Sequence, residues 1–331
     1  MKATNLFKII AIVAIGILAT NQILAQHPTK FRFSETAPEN VLRIMENNAN
    51  SLFAELNRAY GTTNELNLST QNMTPDAKER IQTTWNVSHF YCTRATMITR
   101  VMKFGSGYQV RNIPIFFKDG KDDYRNQHVV IEFDSTGKIS DFYCMIPEHE
   151  YTEVITNSNN VTNLRHREMI RNFVDHFRDA YNNKDIDYIE KIYSEDALII
   201  TGRVVTVDPN KEMSKTLMSD YRIEYSIKNK KEYLTDLQRI FDKNNYINIK
   251  FENIQIIQSE ANPKTYGVRL NQRWRSSTYS DDGELFLVID FSDENKPRIW
   301  VRTWQPDKDK NGNKINYTEE ERFSIGDFSI K

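Results

Sequence analysis

Apolar positions along this chain recur with two periods, and each half of the chain runs through them in the same order. In the first half, Met45, Ala49, Leu52, Phe53, Leu56, Ala59 and Tyr60 fall on one face of a helix. In the second, Ile170, Phe173, Val174, Phe177 and Tyr181 recur at i, i+3, i+4, i+7 and i+11. An apolar stripe at this period predicts an amphipathic helix lying across a sheet. A further helix follows in each half, predicted over 75–85 and 232–241, with Ile81 and Trp85 matching Leu237 and Phe241. The period then drops to two. GYQVRNIPIFFKDGKDDYRNQHVVIEFDSTGKISDFY and TYGVRLNQRWRSSTYSDDGELFLVIDFSDENKPRIWV each read as three strands joined by polar turns. The turns fall at Asp119-Gly120 and Ser135-Thr136-Gly137 in one copy, and at Asp282-Gly283 and Asp293-Glu294-Asn295 in the other.

The two copies align. Arg111 matches Arg269 and Phe133 matches Phe291, both at an offset of 158 residues. Self-similarity of this kind predicts tandem domains of α+β class, over 30–151 and 164–331. TEVITNSNNVTN at 152–163 is polar and Asn-rich, which predicts a linker. The second copy is fuller. It holds an extra short helix over 186–193, with Asp185 placed to cap it, and an extra strand-like run over 197–207. The first copy passes from helix to helix through a short stretch and is pared down.

The N-terminus changes the address. MKATNLFKIIAIVAIGILATNQILAQ carries Lys2 and Lys8, then an apolar run over 9–19, then small and polar residues up to Ala25-Gln26. A run of about 11 residues is too short for a bilayer that needs roughly 20. The pattern predicts a signal peptide over 1–25, cleaved after Ala25. The mature protein is then exported, to the periplasm, the cell surface or the medium, with no membrane span left. No cysteine lies near the cleavage point, which argues against a lipoprotein. Basic and acidic residues number 44 and 45, so no global field points to nucleic acid as a partner. The two cysteines, Cys92 and Cys144, each follow a Phe-Tyr pair. An oxidising compartment permits a disulfide between them, and two small buried thiols are the alternative.

The succession of helix, short helix, IYSEDALIITG, helix and long strands resembles the nuclear transport factor 2-like superfamily, which includes SnoaL-like cyclases, ketosteroid isomerases and dehydratases. YLTDLQRIF, YINIKF, YGVRLNQRW, PRIWVRTWQP and FSIGDFSIK are similar, more narrowly, to an exported subgroup from Bacteroidetes. The likeness covers most of 165–331 and rests on the repeat over 36–151. It implies a cone in each half: a curved antiparallel sheet wrapped around helices, often enclosing a pocket. Members include enzymes and proteins that only bind or dimerise, so the resemblance carries no activity with it.

Candidate chemistry gathers in the second copy. Trp300, Arg302 and Trp304 share one face of RIWVRTW, since strand side chains alternate, and an Arg between two Trp rings grips an aromatic, sugar or anionic ligand. The same trio also serves as a cation–π ladder on an outer face. In RLNQRWRSSTY, Arg273 and Arg275 lie opposite Trp274, and either face is open to the cavity. Asp196, with Tyr193 close by, sits where short helix meets strand. A buried carboxylate there would carry protons, while an exposed one would merely cap a turn. His176 flanks the apolar stripe of its helix. Asp307-Lys308-Asp309-Lys310-Asn311-Gly312 begins like a calcium loop, but its twelfth position is Thr318 and strands flank it, so it reads as a hairpin loop. Glu148-His149-Glu150 are adjacent residues that do not converge on one ion. Neither a metal nor a cofactor is expected, and no nucleophile elbow, phosphate loop or HExxH motif occurs.

Three readings follow. The first is a non-enzymatic ligand-binding or scaffold protein, its tandem domains forming an intramolecular pseudo-dimer that binds an unknown small molecule or protein. The second is a pocket enzyme of isomerase, dehydratase or cyclase type in the second domain. The third is a carrier of a small apolar or aromatic molecule.

Overall fold

The computed structural model describes residues 28–34, 37–62, 64–120, 122–153, 164–206 and 221–328. The expected signal peptide and most of the expected linker lie outside the described residues. The chain divides into two compact units, Met1–Met145 and Ile146–Lys331.

In the first unit, β1 (Lys30–Ser34) precedes α1 (Glu39–Gly61) and α2 (Pro75–Val87). β2 (Phe90–Cys92), β3 (Thr96–Arg100), β4 (Met102–Phe104) and β5 (Gly107–Phe117) follow, then α3 (Asp122–Arg125), β6 (Asn126–Phe133) and β7 (Ile139–Met145). The stripe read from the sequence is the buried face of α1: Met45, Ala49, Leu52, Phe53, Leu56 and Ala59 are all sealed from solvent. Helix α2 begins where Thr74 Oγ1 accepts the Ala77 N–H at 3.2 Å, with proline at its first position. Both helices lie against a sheet of order β2-β5-β6-β7, with β4 paired to β5, while β1 and β3 form a separate parallel pair.

That strand order answers the cysteine question. Cys92 is on β2 and Cys144 on β7, the two ends of the order, with β5 and β6 between them. Three strand spacings amount to about 14 Å. A disulfide tolerates Cα atoms no more than about 7 Å apart. Of the two alternatives, the bridge is therefore absent and both cysteines are buried thiols. Burial pushes the Cys92 thiol above its ordinary pKa.

The second unit opens with β8 (Tyr151–Glu153), α4 (Leu164–Asn182) and α5 (Ile186–Ile192), the last capped by Asp185, which accepts the Tyr188 N–H at 2.9 Å. The hairpin β9 (Tyr193–Thr206) and β10 (Tyr221–Lys228) leads into α6 (Lys230–Lys243), which starts in a capping box of Asn229 and Glu232. Four long strands complete the unit: β11 (Ile247–Gln258), β12 (Thr265–Ser276), β13 (Ser280–Asp290) and β14 (Arg298–Pro306). Among the described residues they form one sheet of order β10-β9-β14-β13-β12-β11-β8, antiparallel except where β14 meets β9 and β11 meets β8. Its concave face packs on the apolar sides of α4, α5 and α6 through Phe177, Tyr181, Ile189, Leu237, Phe251, Leu270 and Leu285. This is the cone that the resemblance implied. β11 to β14 run in the same order as β2-β5-β6-β7, and the β9–β10 hairpin has no counterpart among the described residues of the first unit.

The convex face carries a second, smaller cluster of Phe286, Val288 and Val301, covered by Phe323, Ile325 and Phe328 from the C-terminal segment. Arg269 donates to the Phe323 carbonyl at 3.0 Å and Gln305 to the Glu321 carbonyl at 2.9 Å, which pins that segment down.

The unit boundary falls earlier than the expected linker. Ile146 belongs to the second core, and β8 joins the second sheet beside β11. The fully buried Asp175 carboxylate accepts the Ile146 N–H and the Tyr151 hydroxyl, both at 2.9 Å. Asp175→Ala should leave that buried N–H unsatisfied and cost about 1–3 kcal/mol. The urea midpoint of the full chain, with amide exchange at Ile146, measures this; an unchanged midpoint would show that Asp175 does not hold the segment. Among the described residues, no helix is long and apolar enough to cross a membrane.

Candidate functional site

Between α6 and the concave face of β12–β14 lies a cleft of about 1020 Å³. Strand alternation explains its walls. Gln272 and Trp274 of β12 face inward, as do Asp281 of β13 and Arg302 and Trp304 of β14; Tyr233 and Leu237 of α6 close the opposite side. Trp274 stands directly across from Asp281 in the register. Gly283 makes room for the Trp304 indole, since a Cβ there would lie 2.7 Å from the ring and 2.4 Å from the Gln305 carbonyl.

The strand RIWVRTW is not regular, and that parts the expected trio. Ile289 pairs with Ile299 and Val288 with Val301, so Trp300 is the extra residue of a β-bulge. Alternation restarts after it. Arg302 and Trp304 face the cleft, whereas Trp300 packs on the convex cluster. Asp196 is displaced by a larger irregularity. Tyr193 pairs with Ile299 and Leu198 with Val301, so β9 carries excess residues here, and Glu195 and Asp196 among them are exposed to solvent. Asp196 therefore does not line the cleft. Arg273 points outward as well and pairs with Glu252 at 2.9 Å. His176 is buried on α4, its Nδ1 2.7 Å from the Asn172 carbonyl and its ring stacked on Tyr188. Tyr193 is buried behind the cleft wall.

The floor is a polar cluster in an apolar setting. Tyr233 Oη lies 2.5 Å from Tyr181 Oη, which lies 3.3 Å from Tyr193 Oη. Burial drives the Tyr181 and Tyr193 hydroxyls well above the ordinary tyrosine pKa, so they remain protonated. The Arg302 guanidinium sits over the Tyr233 ring, 5.3 Å from its centroid. Arg302 is 7% exposed and Trp304 is 8% exposed. Among the described residues, no carboxylate lies within ion-pair distance of Arg302, and neither its Nε nor the Trp304 Nε1 finds an acceptor. Of the other cations in the lining, Arg275 and Lys308 pair with Asp282 at 2.6 and 2.7 Å, Lys228 with Asp236 at 2.7 Å and Arg203 with Glu224 at 2.8 Å, while Lys243 and Lys310 are exposed to solvent. Asp281 differs from both acids. Burial pushes its carboxyl up to about 6, against the lowering effects of a hydrogen bond from Tyr279 and of the Arg302 and Arg275 charges. Its Oδ1 has no partner.

Asp281 and Tyr279 escape the sequence reading because the Asp282-Gly283 pair reads as a hairpin turn. The chain turns earlier, at Ser277 and Thr278, where the Ser276 N–H reaches the Tyr279 carbonyl at 2.9 Å. Both aspartates consequently lie within β13, and strict alternation from Leu285 back through Gly283 would have turned Asp281 inward.

No family model matches the chain, and no curated protein matches it. Several solved structures are similar over about half its length. The Bdellovibrio bacteriovorus protein Bd1075 is 20% identical over 45% of this chain, with a TM-score of 0.32, and the match spans only 43% of that protein. An NTF2-like protein from Cytophaga hutchinsonii is 12% identical over 42% of this chain and 97% of its own, at a TM-score of 0.31. A scytalone dehydratase-like protein from Novosphingobium aromaticivorans is 14% identical over 50% of this chain and 96% of its own, at 0.32. The cone of the second unit, with β9 closing parallel onto β14 around three helices, resembles the nuclear transport factor 2-like fold. At such identities and TM-scores neither an activity nor a ligand passes from these proteins to this chain.

Proposed function

We propose that this chain is a non-enzymatic binding protein whose second unit captures a small organic molecule in the cleft, and that it works outside the cytoplasm, in the periplasm or at the cell surface. One observation carries the capture reading. Arg302 Nε and Trp304 Nε1 are buried donors without acceptors, and both residues stand on the wall of an open cleft. Buried polar groups are nearly always satisfied, so a ligand acceptor is the natural partner for these two. Native mass spectrometry of the full chain, purified from the cells that make it, should show a bound small molecule that denaturation releases. A spectrum of bare protein only, with no thermal shift from a broad collection of small acids and aromatics, would end the proposal.

Asp281 supports a second reading, a pocket enzyme that moves a proton. Its buried carboxyl, raised to about 6 by desolvation, is suited to a general base near neutral pH. The two readings part on pH. Asp281 is neutral below about 6 and negative above it, facing Tyr279, Asp282, Arg275 and Arg302. Base catalysis would rise with pH through that value, and Asp281→Asn would abolish it. Capture of an acceptor-rich ligand should instead weaken as the negative charge appears, and Asp281→Asn should retain the acid-side affinity at every pH.

A further inference from the structure

We infer that the molecule this cleft takes is a planar aromatic monocarboxylate, held with its carboxylate on Arg302 and Trp304 and its ring against the indole and phenol walls. The inference rests on the capture reading and adds the chemical class. Three features of the cleft select that class.

The floor demands an anion. Arg302 is the one buried cation among the described residues of the lining, and both it and Trp304 hold a buried N–H that finds no acceptor within the protein. A guanidinium fork recognises a carboxylate through parallel hydrogen bonds. The protonated Tyr hydroxyls behind it add no negative charge.

The charge count limits that anion to one. Arg275, Lys308, Lys228 and Arg203 are already engaged with carboxylates, and the remaining cations of the lining, Lys243 and Lys310, are exposed to solvent, not buried with Arg302. Asp281 shares the lining with Arg302. A phosphate monoester would therefore bring a second negative charge to a floor with one cation and a neighbouring acid.

The walls ask for a flat ring. Trp274, Trp304, Tyr233 and Tyr279 all line the cleft, which at about 1020 Å³ has room for a fused-ring ligand. The Trp274 ring is itself fixed edge-on by Tyr181, at 6.3 Å between centroids. A rigid ring surface loses little freedom when a ligand stacks on it.

The test is calorimetric titration of the full chain with 2-naphthoate, its neutral isostere 2-naphthamide, and the dianion 2-naphthyl phosphate. Naphthoate should bind at least tenfold more tightly than either of the others. Arg302→Gln should remove that advantage, bringing naphthoate down to the affinity of the amide. Trp304→Phe, which keeps a ring and deletes only the N–H, should weaken naphthoate several-fold and serves as the second variant if Arg302→Gln does not fold. Equal binding of amide and carboxylate would overturn the class while leaving the cleft a binding site. Tighter binding of the phosphate would overturn the monoanion. If none of the three binds, the class is lost, and a bare native mass spectrum in the preceding experiment would take the capture reading with it.

Discussion

Arg302→Met should make the folded protein more stable, by about 1–3 kcal/mol, while removing the anion preference proposed for its cleft. The reasoning begins with desolvation. A guanidinium taken out of water loses several kcal/mol of hydration, and a buried charge regains it only through partners of opposite sign. Arg302 is almost fully buried and has none within ion-pair distance among the described residues. What it gains is the face of Tyr233, 5.3 Å from its carbon, and such a contact returns about 1–2 kcal/mol. Methionine has a comparable reach, fills irregular space and asks for no hydrogen bond. On the capture reading, the chain gives up stability to keep a cation at the floor, a trade common at binding sites. Urea unfolding of the two full-length proteins decides it. A midpoint lowered by more than the equivalent of about 1 kcal/mol would make Arg302 a structural residue, and the case for a ligand acceptor would fail with it.

In the first unit the largest effect should come from Trp85→Ala, a loss of about 3–5 kcal/mol. Trp85 is 2% exposed, with ring centroids 4.8 Å from His89 and 5.6 Å from Phe90. Its indole N–H also donates to the Asn64 carbonyl at 3.1 Å, and Asn64 holds a positive φ of 59°. The ring fills the core while its N–H ties down a turn that only a few residue types adopt readily. Trp85→Phe separates the two contributions. It keeps most of the packing, loses the hydrogen bond, and should cost about 1–3 kcal/mol. Chemical denaturation followed by far-ultraviolet circular dichroism reads both; an alanine variant within 1 kcal/mol of the parent would mean that the core closes around the gap.

The helices were legible because a 3.6-residue stripe is read over many turns, and a single misplaced residue does not hide it. The buried face of α1 matches the stripe from Met45 to Ala59. Its last predicted member, Tyr60, is only half-buried, beside Tyr91. Strands offer no such redundancy. With a period of two, one inserted residue reverses the facing of everything beyond it. The bulge at Trp300 and the excess residues of β9 around Asp196 are irregularities of this kind; the first depends on the register of β14 against β13 and the second on that of β9 against β14, neither of which is written locally in its segment. The sequence does place Arg302 and Trp304 together, because the regular part of β14 begins after the bulge. Asp281 was hidden by a dipeptide with strong turn chemistry that the fold uses inside a strand, where Gly283 leaves space for an indole. The cysteine pairing was equally out of reach, since the distance between Cys92 and Cys144 is set by the number of strands between them.

The covering of the convex face sets a minimum length on any useful fragment of the second unit. Phe323, Ile325 and Phe328 act as a lid over Phe286, Val288 and Val301, although they lie beyond the last strand. A chain stopped at Pro306 would retain every strand and helix of the cone. It would also turn an apolar patch toward water, and self-association is the usual fate of such a surface. Trimming by a protease after Pro306 would have the same result, so the last turns of this chain serve its solubility as much as its shape.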